Sequence, residues 1–142
     1  MKIQQATDAI SILKCYDALH ELRPHLEKEN FVTLIEGMIS RGYNLIFIEE
    51  NGKAIAAAGY RYTEHLAWGK PLYIDDLSTL SLARKKGYAS ALLDYICSHA
   101  KKLGYTQIHL DSGCNETRYE AHRLYLKYGF NITSHHFVLK IH

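Results

Sequence analysis

The stretch LYIDDLSTLSLARKKGYASALLDYI, residues 72 to 96, decides the reading of the fold. It opens as an apolar, strand-like run with two adjacent aspartates and passes through Arg84-Lys85-Lys86-Gly87-Tyr88-Ala89. It then enters a helix whose Leu92, Leu93, Ile96, Ala100 and Leu103 share one face until Gly104 stops it. A strand that turns tightly into a helix leaves the first helical N–H groups unpaired and aimed at one spot, at the positive end of the helix dipole. That spot favours phosphate: Gly87 permits close backbone approach, Ala89 keeps the first turn uncrowded, and three cations rim it. The loop matches neither GxGxxG nor GxxxxGK[ST], so dinucleotide and NTP readings lack their signature. Taken alone, a solvated basic turn competes with the phosphate reading.

Working outward, the segments YNLIFIEE and KAIAAAGYRY flank Asn51-Gly52, the dipeptide best suited to a two-residue hairpin, and are expected to pair antiparallel. Before them, KIQQA reads as a short strand. A helix follows from Asp8, with Ile10, Leu13, Ala18 and Leu22 at helical spacing up to the LRP stop. A second helix follows Asn30, with Phe31, Leu34, Ile35, Met38 and Ile39, closed by Gly42. Downstream lie a strand YTQIHLDS, a helix RYEAHRLYLKYG ended by Gly129, and a strand-like run FNITSHHFVLKI, short enough to be one bent strand. The order β-α-α-β-β-β-α-β-α-β is an α/β arrangement in which the opening strand, its helix and YTQIHLDS form a crossover unit. Ligands sit commonly at the carboxyl ends of strands in such units.

With 142 residues, 47% of them hydrophobic, the chain has the size and core of one domain over residues 1–142. A formal charge of +2, nine histidines uncounted, is too mild for wholesale binding to nucleic acid or membrane. No run approaches the ~20 apolar residues of a membrane span, and polar residues interrupt the start where a signal peptide needs an apolar core, so a cytoplasmic location is expected. Cys15, Cys97 and Cys114 form no CxxC pair and read as small buried hydrophobes kept reduced. His109, His122, His135 and His136 lack the carboxylate or cysteine spacing of a metal shell, so no metal is expected.

The residues Arg84 to Ala89 resemble the Q/R-x-x-G-x-G/A acyl-CoA pyrophosphate loop of the GCN5-related N-acetyltransferase (GNAT) superfamily. Leu77-Ser78-Thr79-Leu80-Ser81 looks like the fourth strand of that superfamily, and Ala121-His122-Arg123-Leu124-Tyr125-Leu126-Lys127-Tyr128-Gly129-Phe130 is similar to its A-x-x-[LF]-Y-x-x-x-G-F segment. The resemblance covers nearly the whole chain. It implies a single-domain α/β acyl-CoA N-acyltransferase fold, a mixed central sheet flanked by helices, with acetyl-CoA as co-substrate. Arg84, Lys85, Lys86, Gly87, Tyr88 and Ala89 would hold the pyrophosphate. Main-chain groups of Leu77, Ser78 and Thr79 would hold the pantetheine arm and the thioester oxygen.

Acetyl transfer to an amine needs a neutral amine, stabilisation of the developing oxyanion and a proton for the leaving thiolate. Strand alternation places Tyr73, Asp75 and Leu77 on one face and Ile74 and Asp76 on the other. Asp75 stands where polyamine acetyltransferases of the superfamily look to have an amine-facing glutamate. It is expected to attract the ammonium and take its proton, directly or through water, with Tyr73 and Asp76 as further acceptor-side residues. Asp76 reads equally as a partner of a basic group. An aspartate with its ordinary pKa of ~3.9 would need burial or a neighbouring carboxylate to act as base. Tyr125 matches the family tyrosine that protonates the CoA sulfur. Arg118 stands where many relatives carry a pantetheine-binding asparagine, and Asn115, three residues earlier, is the substitute candidate. Asp75, Asp76, Glu21, Glu27 and Glu29 favour a cationic acceptor, either a small-molecule amine such as a polyamine or aminoglycoside, or a protein lysine or α-amine. Neither nucleic acid nor membrane is expected as a partner, and a homodimer is left open. The competing function is a non-catalytic acyl-CoA-binding sensor, which would need the loop but neither Asp75 nor Tyr125.

Overall fold

Asn51 and Gly52 have φ values of 54° and 77°, the double left-handed geometry of a tight hairpin, and join β2 (Asn44–Glu50) to β3 (Lys53–Tyr62). The computed structural model describes residues 1–142 and divides the chain into two units, Met1–His109 and Leu110–His142. In the first unit the remaining elements are β1 (Gln4–Gln5), α1 (Ala9–Lys14), α2 (Tyr16–Leu22), α3 (Lys28–Ile39), β4 (Leu72–Thr79) and α4 (Tyr88–Lys102). β5 (Ile108–Leu110) begins at the end of this unit, and the sheet order is β1-β2-β3-β4-β5. The first three pairings are antiparallel, and α4 makes the crossover from β4 to β5 that renders the sheet mixed.

Small residues let β3 serve as the central strand. Ala54, Ala56, Ala57 and Ala58 are fully buried, so cover can approach both faces closely. On one face the apolar stripes of α1 to α3, through Ile12, Leu19, Phe31 and Ile35, pack with Leu45, Phe47 and Ala57. Alternation sends Ile46 and Ile48 to the opposite face, where α4 brings Leu92, Leu93 and Ile96 against the sheet. The Asp8 carboxylate accepts from the Ser11 hydroxyl at 2.6 Å and caps α1 by accepting from the Ser11 N–H at 2.8 Å, contacts that lower the Asp8 pKa.

Two sequence expectations change here. The helix starting at Asp8 is broken in two, because Cys15 donates its N–H to Ile12 O at 3.0 Å, an i to i+3 bond that tightens the chain between α1 and α2. The expected final strand does not form: residues 131–142 have no regular structure, and Ile132, Phe137, Val138, Leu139 and Ile141 are exposed. An alternating pattern supplies side chains for a strand but not the ladder partner its backbone needs. The second unit otherwise holds a 3-10 turn, Glu116–Arg118, and α5 (Tyr119–Tyr128), which ends at Gly129 with φ of 122°.

The cysteine reading holds in part. Cys15 is fully buried, and burial pushes its thiol up to about 12. Cys97 is half-buried. Cys114 is exposed, contrary to expectation, because it lies on the open loop after β5 rather than on a packed face. No helix is long and apolar enough to cross a membrane.

Candidate active site

Strand β4 ends at Thr79, a 3-10 turn spans Ser81–Ala83, and the chain then makes two left-handed steps, Lys85 at φ 64° and Gly87 at φ 85°. Gly87 is the N-cap of α4 and offers no side chain to cap it. The first intrahelical bond is Ala91 N–H to Gly87 O, so the N–H groups of Tyr88, Ala89 and Ser90 open together from the helix end. Lys85 and Lys86 flank that end, are exposed and have no acidic partner. Unpaired N–H groups at a helix N-terminus beside two free cations form a cradle whose geometry favours an anion.

Two residues of the loop do something else with their side chains. Arg84 donates through Nε to Thr79 O at 3.3 Å and lies 3.8 Å from Glu21 of α2. The Glu21 carboxylate also accepts from the Ser81 N–H, at 3.1 Å to its nearer oxygen, and from the Ser81 hydroxyl. Glu21, read from sequence as an acceptor-side acid, therefore braces the cradle instead. Tyr88 turns its phenol to Glu50 at 2.6 Å, which raises the Tyr88 pKa and leaves only its main chain for a ligand. Replacing both Lys85 and Lys86 by alanine is expected to raise the acetyl-CoA KM roughly 3- to 30-fold, with a weaker salt dependence than wild type and kcat little changed. Steady-state titrations at two ionic strengths check this.

The strand that delivers this loop carries the aspartates, and its pairing corrects the predicted alternation. Tyr60 pairs with Ile74 and Gly59 with Asp76, so Asp75 is an extra residue, a β-bulge opposite the Gly59–Tyr60 step. The bulge brings both carboxylates into one cluster rather than onto opposite faces. Arg61 of β3 donates from Nε to Asp75 Oδ2 at 2.7 Å, with its guanidinium 5.3 Å from the Tyr43 ring centroid. The Tyr43 hydroxyl donates to Asp76 Oδ2 at 2.8 Å, and Arg23 donates from Nε to Asp76 Oδ1 at 3.0 Å. Arg23 also donates to the Asp75 carbonyl at 2.9 Å. Tyr73 pairs with Arg61 across the ladder.

Gly59 makes room for this arrangement. A Cβ there would stand 1.7 Å from the Tyr43 hydroxyl, so only glycine lets the phenol lie over β3. Burial, and then the Asp76 charge, raise the Tyr43 pKa well above its ordinary value. A phenol so raised contributes stability that is complete below the unfolded value near ~10 and is lost as pH climbs past it. Tyr43→Phe is therefore expected to flatten the fall in melting temperature above about pH 10, measured by thermal denaturation across pH.

Leu77 and Thr79 are half-buried on the last turn of β4, and Ser78 is buried, its hydroxyl donating to Ala18 O of α2 at 2.7 Å. β5 is three residues long against eight for β4, and Leu72 N–H meets Gln107 O at the start of β4. The main chain at Leu77 to Thr79 consequently has an edge that β5 is too short to cover. Ser78 spends its side chain on α2, in keeping with a main-chain role at this position.

Asn115 and Tyr125 belong to the second unit. Asn115 is exposed at the cap of the 3-10 turn, and its side-chain amide donates to Thr117 Oγ1. Tyr125 sits on α5, half-buried, with its ring 5.8 Å from that of Phe130 in an edge-to-face contact. Its carbonyl accepts from the N–H groups of Gly129 and Phe130 at 3.1 and 2.9 Å, so the Gly-Phe pair of the motif closes the helix that carries the tyrosine. The Trp68 ring lies tilted against His109 and His65, with centroids 4.1 and 4.8 Å away, and burial lowers the His109 pKa. No group of three or more His, Cys, Asp or Glu side chains is placed to hold a metal ion.

Arg23, Tyr43, Gly59 and Arg61 are the residues that sequence reading missed. Arg61 had a usable signal, as the only ionisable cation after Lys53 in an otherwise apolar strand. Tyr43 and Gly59 had none, since their relation arises only when β2 and β3 pair.

Chain order and sheet are those of the acyl-CoA N-acyltransferase fold, and the comparisons agree. The model of the acetyltransferase (GNAT) family matches residues 12–130, and the chain belongs to that family. It is therefore an acetyl-CoA-dependent N-acetyltransferase. It is 34% identical over 137 residues to an uncharacterized N-acetyltransferase, YhdJ, of Bacillus subtilis (strain 168), covering 95% of each chain. Among solved structures it resembles glucosamine-6-phosphate N-acetyltransferase of Arabidopsis thaliana at 22% identity and a TM-score of 0.76, covering 100% of both chains. It also resembles AAC(6')-Iy in complex with the bisubstrate analogue CoA-S-monomethyl-acetylneamine, at 14% identity and a TM-score of 0.81, covering 99% of this chain and 98% of the other.

Proposed function

We propose that the protein transfers the acetyl group of acetyl-CoA directly to a primary amine that arrives as an ammonium ion, with Asp75 receiving its proton and Tyr125 supplying one to the departing thiol. The observation that carries this is the course of β4. One strand presents a bulged, partly open carboxylate at Asp75, ends four residues on at Thr79, and leads through the 3-10 turn Ser81–Ala83 into the capless helix end of the Lys85-Lys86-Gly87 cradle. At ~3.3 Å per strand residue Asp75 lies on the order of 13 Å from the Thr79 end of β4, beyond which the chain turns into the cradle. That spacing suits a co-substrate whose anionic end and reactive end are separated by a long arm.

In this reading the Tyr88, Ala89 and Ser90 N–H groups, with Lys85 and Lys86, hold the pyrophosphate, while Arg84 keeps the turn in shape through Thr79 and Glu21. The uncovered main-chain edge at Leu77 to Thr79 orients the pantetheine arm and the thioester, and Asn115 is a further contact to the arm. Asp75 Oδ1 accepts from the ammonium and takes one proton, directly or through water. The nitrogen then forms a bond to the acyl carbon, the carbon–sulfur bond breaks, the sulfur takes the Tyr125 proton, and the acylated nitrogen releases its surplus proton through water to the Tyr125 phenolate, leaving a neutral amide, CoA thiol and a restored phenol. Asp76 has both oxygens engaged and serves to position Arg23 and Tyr43. The family match spans both structural units, which supports treating residues 1–142 as one acetyltransferase domain, and the absence of a crossing helix suits the cytoplasm.

The test is CoA-thiol release over a panel of small-molecule and peptide amines. Asp75→Asn should lower kcat/KM for the amine about 100-fold or more, the lower end of general-base contributions, without changing acetyl-CoA affinity. An Asp75→Asn enzyme as fast as wild type would remove Asp75 from the mechanism.

A further inference from the structure

The acidic pair on β4 is not an acidic surface. Asp75 and Asp76 are matched by Arg61 and Arg23, two carboxylates against two guanidiniums, so the cluster carries no formal charge. A plain cation approaching Asp75 meets one open carboxylate oxygen between two fixed positive groups.

The unspent capacity of the cluster shows what would fit. Asp76 is only 15% exposed, and its two oxygens accept from Arg23 and from Tyr43. Asp75, 31% exposed, accepts through Oδ2 alone, and Oδ1 has no protein partner. Arg61, 33% exposed, donates only through Nε, and both its terminal nitrogens have no acceptor in the protein. Arg23, 40% exposed, spends Nε and Nη2, and Nη1 remains. The stack on Tyr43, which is 2% exposed, and the Asp76 bonds hold both guanidiniums in place before any ligand arrives. The open edge is thus one anionic acceptor beside a preset fork of donors, and a guanidinium fork matches carboxylate or phosphate geometry.

Resting on the acetyltransferase reading above, we propose that the acceptor is an amine bearing an anionic group close to its nitrogen, a carboxylate or a phosphate. Its ammonium bonds Asp75 Oδ1 and its anion bonds the terminal nitrogens of Arg61, with Arg23 Nη1 assisting. The bulge at Asp75 has a purpose in this arrangement: without it the two carboxylates would lie on opposite faces, and the donor fork would not sit beside the open one.

The experiment compares matched amines by CoA-thiol release at saturating acetyl-CoA: an α-amino acid with its decarboxylated amine, an amino-sugar phosphate with the unphosphorylated sugar, and a linear polyamine. The expected result is a preference of about 10- to 100-fold in kcat/KM for the anionic member of at least one pair, the range that charge-assisted hydrogen bonds supply. Which pair shows it separates carboxylate from phosphate. Arg61→Gln should bring that preference close to one, mainly through the amine KM, with the acetyl-CoA KM retained. Arg61→Lys keeps the charge and the pairing with Asp75 but loses the fork, and should retain only part of the preference, which separates recognition from a folding defect. Turnover that favours the decarboxylated, unphosphorylated or polyamine substrates would overturn this inference and leave the N-acetyltransferase reading intact. A protein that binds acetyl-CoA yet acetylates no member of the set would overturn both.

Discussion

Tyr125→Phe is expected to lower kcat by roughly 10²- to 10⁴-fold, the usual contribution of a positioned general acid, while the KM for acetyl-CoA stays close to wild type. The substitution removes one oxygen and keeps the ring. The edge-to-face contact with Phe130 and the main-chain closure of α5 at Gly129 and Phe130 should both survive. A phenol keeps its proton up to a pH near ~10 and can give it to a thiolate, whereas a phenylalanine forces the sulfur to leave as an anion or to wait for water. The variant should therefore be slow with acetyl-CoA and less impaired with an acyl thioester whose thiol is more acidic. Single-turnover kinetics with both donors separate the two cases. A Phe variant with wild-type kcat on both would reduce Tyr125 to a packing residue.

Gly59→Ala should act on stability and on the amine site at once. The new methyl would lie 1.7 Å from the Tyr43 hydroxyl, and Tyr43 is fully buried among β2, α3 and Phe31-side residues of the core, so it cannot swing into solvent. Overpacking of this kind costs about 1–3 kcal/mol, which for a chain of this length lowers the melting temperature by roughly 3–10 °C. If Tyr43 shifts, Asp76 loses its hydroxyl donor and Arg61 loses the ring beneath it. The amine KM should rise several-fold or more, on the order of one lost hydrogen bond to a charged group, with acetyl-CoA binding untouched. A control at Gly52, with open space around it but a φ of 77°, would strain the hairpin without reaching the cluster. Loss of amine affinity equal in both variants would mean that the cluster is not what senses Gly59.

How far the sequence carries can be followed residue by residue. The hairpin was legible because Asn51-Gly52 encodes its own geometry, and the cradle was legible because Gly87 and its neighbours encode a local turn into a helix. Both depend on contacts within a few residues. The bulge at Asp75 was not legible, since it is a mismatch between two strands and nothing in LYIDDLST states how β3 will align with it. The same holds for Arg23 and Arg61, whose partners are 53 and 14 residues away. Glu21 was misread for a related reason: on the helix it is one more solvated carboxylate, and only the fold brings it to Ser81, 60 residues on. The C-terminal run FNITSHHFVLKI shows the converse error, in which a pattern compatible with a strand was taken for one although no ladder partner is specified by the pattern. The hairpin and the crossover helix survived these local failures, whereas Ile10, Leu13, Leu34 and Leu103, expected on apolar stripes from their spacing, are exposed.

The correction at β4 also changes what the acceptor side requires. With Asp76 committed to Tyr43 and Arg23, a single carboxylate remains open, so the proposed chemistry draws on Asp75 alone and not on a pair that shares a proton. In the proposed acceptor site, the arginines that hold the aspartates are in turn the donors offered to the substrate.

The most direct measurement is to mix the purified protein with acetyl-CoA and the matched amines, following free thiol and identifying the product by mass. The account predicts stoichiometric thiol and N-acetyl amine, with the product signal falling in Asp75→Asn and Tyr125→Phe while both variants still bind acetyl-CoA. Bound acetyl-CoA with no N-acetylated product from any amine would contradict it, and would leave an acyl-CoA-binding protein that senses rather than transfers.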